Sequence, residues 1–325
     1  IITGFHGQYS SEKTVIQTKQ LIKEGAIGGV IIFKRNIKNK AQLKELIAYL
    51  KKDTPIIVAI DHEGGLVNRL THPSFKLKTP SPKSFCKLSK KKQLLYSQQA
   101  ANSLSELGIN VNLGGVVDIA PIIKKSSICK YNRCFSDTQE TIEQCTSTMF
   151  NFHQKNKVVF ALKHYPGHGS TPIDSHYYLP DITKTHSDYE FMPYFNITKN
   201  NQDMAMVMVG HLMDKTVDKR YPASLSKKHI QHLTNIVKFN GLIITDDLNM
   251  GALYGISRKK HIIAKLAANA GNHLLLFEQL TPKQINKIND TLSLHASEHP
   301  QFNKNILTSK QKVQTLLLKY AHSPL

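Results

Sequence analysis

Eight short runs of mostly β-branched and aliphatic residues recur along the chain, at 1–5, 29–33, 56–61, 109–119, 158–164, 204–211, 241–247 and 273–277. Several of the intervening stretches return apolar residues at helical spacing. The runs are continuously apolar rather than alternating, the pattern of parallel strands covered on both faces. Half-exposed antiparallel strands would alternate apolar and polar residues instead. Eight parallel strands joined by helices is the count that closes a β/α barrel, and 325 residues suit one such barrel without demanding more. The sequence therefore predicts an α/β fold, a single (β/α)8 TIM-type barrel over 1–325 with no second C-terminal sandwich domain. No internal repeat, low-complexity tract or long linker marks a boundary within it. Three helical faces are expected: Leu43, Leu46, Ile47 and Leu50; Ile262, Leu266, Ala267 and Ala270; and Val313, Leu316, Leu317 and Tyr320 in a final helix.

Lysine and arginine outnumber acidic residues 43 to 23, a formal net charge of +20, which points to anionic surroundings. The cations are spread along the whole chain, and no basic arm, zinc finger or aromatic RNA-binding motif accompanies them, so no nucleic-acid partner is expected. An acidic cell-wall polymer or membrane surface accounts for the charge. Cys86, Cys129, Cys134 and Cys145 form no C-x-x-C pair and read mainly as ordinary thiols. Cys129 and Cys134 are near enough in sequence to bridge if the protein is exported. No run is long enough to cross a bilayer as a helix, and no secretory leader is read. The chain opens inside its first strand, which leads to the expectation of a removed or unseen preceding segment. Compartment stays open between the envelope, which the charge favours, and the cytoplasm.

Charged residues gather where the apolar runs end: Asp61-His62-Glu63, Lys163-His164, Gly210-His211 and Asp246-Asp247. A charge is costly within a strand, so its repeated appearance at one end predicts a shared cleft on the C-terminal face of the barrel. The longest non-periodic connections, 63–87 and 165–195, leave from that same face. Asp246 is read as the catalytic carboxylate, able to attack an anomeric carbon or to balance an oxocarbenium-like charge. Asp247 is read as structural, a cap for the next helix. Asp174 and His176 lie two apart, so on an extended segment they project to one side, where the carboxylate can orient the imidazole and make it a general acid and base. A metal site from His164, His168, Asp174 and His176 is the rival reading, though the spacing matches no zinc-hydrolase signature. Asp61 and Arg69, flanking the Gly64-Gly65 turn, suit sugar hydroxyls.

Taken in order, Gly29-Val30-Ile31-Ile32-Phe33-Lys34-Arg35-Asn36, Ala59-Ile60-Asp61-His62-Glu63-Gly64-Gly65, Lys163-His164-Tyr165-Pro166-Gly167-His168-Gly169, Asp174-Ser175-His176 and Thr245-Asp246-Asp247-Leu248-Asn249-Met250 resemble the bacterial β-N-acetylglucosaminidases of glycoside hydrolase family 3. The resemblance implies a retaining enzyme of peptidoglycan turnover acting on muropeptide-type glycans without metal or cofactor. It implies Asp246 as nucleophile, Asp174 and His176 as an acid/base dyad, and Asp61, Arg69, Arg133, Lys163 and His164 as ligands of the terminal N-acetylglucosamine. His62, Leu66, Tyr165 and Ser170 depart from the family's usual glutamine, arginine, phenylalanine and aspartate. A glycan-binding barrel without activity, a metal-dependent hydrolase and a phosphorolytic variant are the alternatives.

Overall fold

The computed structural model describes residues 1–120, 122–200 and 205–321. Its eight strands are β1 Ile2–Thr3, β2 Gly29–Ile32, β3 Ile57–Ile60, β4 Val111–Val116, β5 Val159–Tyr165, β6 Ala205–Val209, β7 Leu242–Thr245 and β8 Leu276–Phe277. All pair in parallel and in chain order from β1 to β7, with β8 beside β1. The ring closes between β7 and β8, where Ile244 bridges Leu274 and the Leu276 amide donates to Thr245 Oγ1 at 3.0 Å. This is the (β/α)8 barrel that the eight runs predict.

The strands are shorter than the apolar runs. The first run supplies only Ile2–Thr3 and the last only Leu276–Phe277, while the 109–119 run leaves the sheet at Val116. Residues beyond the ladder stay apolar because the loops that carry them are also buried, as Phe5 and Ile119 are. Met204, at the start of the sixth run, lies outside the described residues.

Side chains alternate across each strand, so residues of one parity face the barrel interior and the others face the helices. Ile31, Ile57, Ala59, Val159, Ala161, Met206, Met208, Leu242 and Ile244 form one inner cluster. Val30, Ile32, Val58 and Ile60 pack outward with the helices on one side, and Phe160, Leu162, Val207 and Ile243 on the other. Burying layers of this kind is the main stabilising contribution, at about 25 cal/mol per Å² of apolar surface removed from water.

Leu43, Leu46, Ile47 and Leu50 are buried along one face of helix Lys40–Lys51, as expected. In helix Lys260–Ala270 the expected face is shifted: Ile263, Ala264, Ala267, Ala268 and Ala270 are buried, while Ile262 and Leu266 are half-buried. The small alanines let the helix approach the barrel closely, and the two larger side chains flank that contact. The final helix, Pro300–Ala321, does not lie along the flank. Leu316 joins the inner cluster with Val313 and Leu317 packed against it, and Lys312 Nζ donates to the Asn240 carbonyl at 2.9 Å, just before β7. It therefore plugs the end of the barrel where the strands begin. The Tyr320 side chain, the fourth member of that stripe, lies outside the described residues.

The cysteines are not ordinary thiols. Cys86 is bonded to Cys145 and Cys129 to Cys134. The first pair joins helix Pro82–Cys86 to helix Gln139–Lys155 across 59 residues, a juxtaposition made by the fold and carried by no spacing signal.

Candidate active site

The inward parity of the strands delivers the chemistry, just past the last ladder residue of β3, β7 and β8 and within the C-terminal half of β5. After Ile57 and Ala59 comes Asp61; after Val159 and Ala161, Lys163; after Leu242 and Ile244, Asp246; after Leu274 and Leu276, Glu278. These four, with Phe33 on the same parity of β2, line a cavity of about 440 Å³ in the mouth of the barrel. Every residue expected in the site, except Asp174, lines it: Asp61, Arg69, Arg133, Lys163, His164, His176 and Asp246. Asp174 stands one step behind, accepting hydrogen bonds at one oxygen from His176 Nδ1 at 2.7 Å and from the His176 amide at 2.9 Å. With Nδ1 engaged as a donor, Nε2 of His176 is the nitrogen left to exchange a proton.

One wall is a chain of alternating charges. Arg69 reaches Asp61 at 3.5 Å, Lys163 Nζ lies 3.1 Å from Asp61 and 2.7 Å from Glu63, and Arg133 grips Glu63 through two contacts of 2.8 Å. Glu63 was not expected in the site, and it is the hub. Burial alone would raise its carboxyl, but Arg133 and Lys163 hold it well below the ordinary carboxylate range. Both partners are held charged in turn. The turn that aims Glu63 uses Gly64 and Gly65 at φ +96° and +58°, where added Cβ atoms would collide with the Pro80 carbonyl and with Ser81.

Replacing Glu63 by alanine leaves two buried cations without their shared partner. The expected cost is about 3–5 kcal/mol of stability at neutral pH, measured by urea unfolding. A carboxyl with a depressed folded pKa stabilises fully above its unfolded value, and the gain is lost as pH falls through the folded one. The gap between parent and variant should therefore be widest at neutral pH and narrow in acid.

A second carboxylate absent from the sequence reading, Asp118, sets the opposite wall. It accepts from His164 Nδ1 at 2.7 Å, from the His164 amide at 3.1 Å and from the His168 amide at 2.7 Å. This bond places the Nδ1 proton toward Asp118 and leaves His164 Nε2 for the cavity. His168 faces the loop instead, its Nε2 3.1 Å from Ser175 Oγ, and burial lowers its pKa to about 4. Its neutral ring ties Ser175, the residue between Asp174 and His176, to the barrel. The loop is also clasped from the other side, by the Gly251 amide donating to the His176 carbonyl at 2.8 Å. A Cβ at Gly251 would lie 2.8 Å from that same oxygen.

Asp246 is enclosed by imidazoles. Burial works to raise its carboxyl, but the charges of His164 and His211 and the Asp247 amide, 2.8 Å from Asp246 Oδ1, bring it down to about 2. It is thus an anion throughout the neutral range. His211 lies 2.9 Å from the Asp247 carbonyl through Nε2, which must donate, and 2.7 Å from Ser224 through Nδ1. Asp247 does not cap a helix as expected: one oxygen accepts from the Asn249 and Glu278 amides, at 2.9 and 2.8 Å, and so joins the loops after β7 and β8 beside the cavity that it also lines.

The four residues of the rival metal reading do not converge. Among the described residues, no three of His164, His168, Asp174 and His176 bring ligand atoms within 4.8 Å of one another. Of the departures from the family pattern, His62 and Tyr165 are buried outside the cavity lining, with His62 Nε2 3.0 Å from Thr79 and the Tyr165 hydroxyl 2.9 Å from His232 Nδ1. Leu66 is exposed and Ser170 half-buried.

Residues 7–315 match the family model described as the N-terminal domain of glycosyl hydrolase family 3. A β-hexosaminidase of Neisseria meningitidis serogroup C is 31% identical over 277 residues, 80% of this chain and 73% of its own length. One from Idiomarina loihiensis is 29% identical over 267 residues, 78% of this chain and 77% of its own. Among solved structures, a family 3 β-N-acetylglucosaminidase from Paenibacillus superposes with a TM-score of 0.84 at 25% identity, covering 100% of this chain but 62% of that one. The present chain thus spans less than two thirds of the Paenibacillus protein. A β-N-acetylhexosaminidase from Beutenbergia cavernae shares the fold at a TM-score of 0.84 and 20% identity, over 98% of this chain and 96% of its own.

Proposed function

Because the chain belongs to glycosyl hydrolase family 3, we propose that it is a retaining exo-β-N-acetylglucosaminidase, with 1–325 forming one catalytic barrel domain. The observation that carries this reading is the pairing, in one cavity, of a carboxylate kept ionised and an imidazole backed by a second carboxylate. In the first step an Asp246 oxygen attacks the anomeric carbon as the bond to the leaving oxygen breaks, and His176 Nε2 gives that oxygen its proton. The products are a glycosyl ester on Asp246 and a free alcohol. In the second step neutral His176 takes a proton from water, whose oxygen displaces Asp246 and releases the sugar with its original configuration.

Asp174 supports both steps by fixing the ring and stabilising its cationic form. Asp61, Arg69, Arg133, Lys163 and His164 are assigned to the hydroxyl and acetamido groups of the terminal sugar, the charge chain holding them rigid. Neither step as written requires a metal or an organic cofactor. Peptidoglycan-derived glycans are the proposed natural substrates. An oxidising envelope compartment fits both the net charge of +20 and the two disulfides.

The test is chromophore release from an aryl β-N-acetylglucosaminide beside the matching β-glucoside, with and without chelator. Activity confined to the amino sugar and indifferent to chelation is the expected result. Folded protein that cleaves neither, or that loses activity on chelation, would overturn the reading.

A further inference from the structure

The two disulfides differ in what they can do for the chain. Cys86 and Cys145 are 59 residues apart, whereas Cys129 and Cys134 are 5 apart. The entropy that a crosslink removes from the unfolded chain grows with the loop it closes, so the short bridge adds less to global stability. Its consequence is local, and the locality is the catalytic cavity. Ile128 and Arg133, each one residue before a bridged cysteine, both line it.

The two ends of the bridge are anchored unequally. On the Cys129 side, the Ser127 amide donates to the Thr171 carbonyl at 2.9 Å, and Ser126 Oγ accepts from the amides of Ile128 and Cys129 at 3.3 and 3.1 Å. Cys129 is buried with Val116, the last residue of β4, and Ala120, its sulfur 4.0 Å from the Asp118 carbonyl. The Cys134 side has less support. The Lys83 amide donates to the Asn132 carbonyl at 3.3 Å, and Asn132 turns the chain at φ +60°. Beyond it, among the described residues, the amides and carbonyls of Arg133 and Cys134 make no hydrogen bond. Glu63 grips the guanidinium, but a contact at the tip of a long side chain does not fix the backbone behind it.

We propose that the Cys129–Cys134 disulfide is the positioning element for Arg133: it carries the anchor of residues 126–129 across to the Arg133 backbone and so fixes the guanidinium against the terminal sugar. This rests on the assignment of Arg133 to that sugar in the functional reading above and adds the device that holds it. The effect is on binding, so it appears in KM. Asp246, His176 and the Ser127 contact with the acid/base loop are left in place, so kcat is kept.

The experiment is a double-mutant cycle read in the kinetics of aryl β-N-acetylglucosaminide cleavage. Peptide mapping without reductant should first find Cys129 joined to Cys134. Replacing both cysteines by serine should raise KM about tenfold and leave kcat within about twofold. KM does not depend on how much of the protein is folded, so partial unfolding cannot imitate this result. Arg133→Ala alone should raise KM at least as far, and in that background the serine pair should change KM by less than about twofold. Arg133→Lys serves the same cycle if the alanine variant does not fold. Cys86→Ser with Cys145→Ser should lower the melting temperature further yet leave KM within about twofold of the parent. Free thiols at Cys129 and Cys134 in the active protein, an unchanged KM in the serine pair, or effects additive with Arg133→Ala overturn the proposal. So does an equal rise in KM on opening Cys86–Cys145. Wild type that cleaves the substrate while Arg133→Ala keeps its KM removes Arg133 from the sugar, and the proposal with it. Folded wild type that cleaves nothing fails earlier, at the functional reading itself.

Discussion

Substituting alanine for Asp246 should reduce kcat/KM toward an aryl β-N-acetylglucosaminide by about 10⁴-fold or more, with a smaller fall in melting temperature than Glu63→Ala causes. The size of the effect comes from the role: without the carboxylate no ester forms, and no other acid holds the inward position on β7. The structure also explains why most of the stability should survive. Among the described residues Asp246 makes no ion pair with lysine or arginine. Its anion is maintained against burial by His164, His211 and the Asp247 amide. Removing it gives up the modest stability implied by its lowered carboxyl, but the neighbours left behind are imidazoles, which can shed a proton, and not a buried lysine or arginine as at Glu63. A variant at Asp246 with activity within tenfold of the parent would place the nucleophile elsewhere.

His176→Ala should produce a loss that depends on the leaving group. For a disaccharide, whose leaving hydroxyl needs a proton, kcat/KM should drop by about 10²–10⁴-fold. For an aryl glycoside with an acidic phenol, kcat/KM should change far less, because that departure needs little protonation. Its kcat should still fall, since the second step has lost the base that activates water, and glycosyl-enzyme should accumulate. His176 is open to solvent, its side chain 63% exposed, so a small anion such as azide can reach the ester and restore turnover as a glycosyl azide. Equal losses in kcat/KM on both substrate types, without rescue, would remove the acid role from His176.

The barrel was legible because its strands are buried on both faces, and eight continuous apolar runs are hard to arrange in any other closed way. The carboxylate at Asp246 and the Asp174–His176 pair were legible for local reasons: strand parity fixes the first, and a two-residue spacing fixes the second. The positions assigned to the sugar through family resemblance, Arg133 included, do line the cavity.

Glu63 and Asp118 were not picked out, and the reason differs for each. Glu63 sits in a Glu-Gly-Gly turn that reads as loop chemistry, and its importance comes from Arg133 and Lys163, both distant in sequence. Asp118 lies inside a run read as strand through residue 119, yet it breaks the apolar pattern at that strand's C-terminal end, the same signal that exposed Asp61 and Asp246. The disulfide between Cys86 and Cys145 and the placement of the final helix beneath the barrel depend on how helices settle around the sheet. No local period encodes that.

The most direct test of the account is the configuration of the sugar first released, followed by proton NMR during hydrolysis of the aryl β-N-acetylglucosaminide before mutarotation intervenes. The double-displacement chemistry assigned to Asp246 and His176 predicts β-N-acetylglucosamine as the initial product, with the α-anomer appearing later at the rate of spontaneous equilibration. Initial appearance of the α-anomer would mean that water attacks the substrate directly, and Asp246 would then not be a covalent nucleophile.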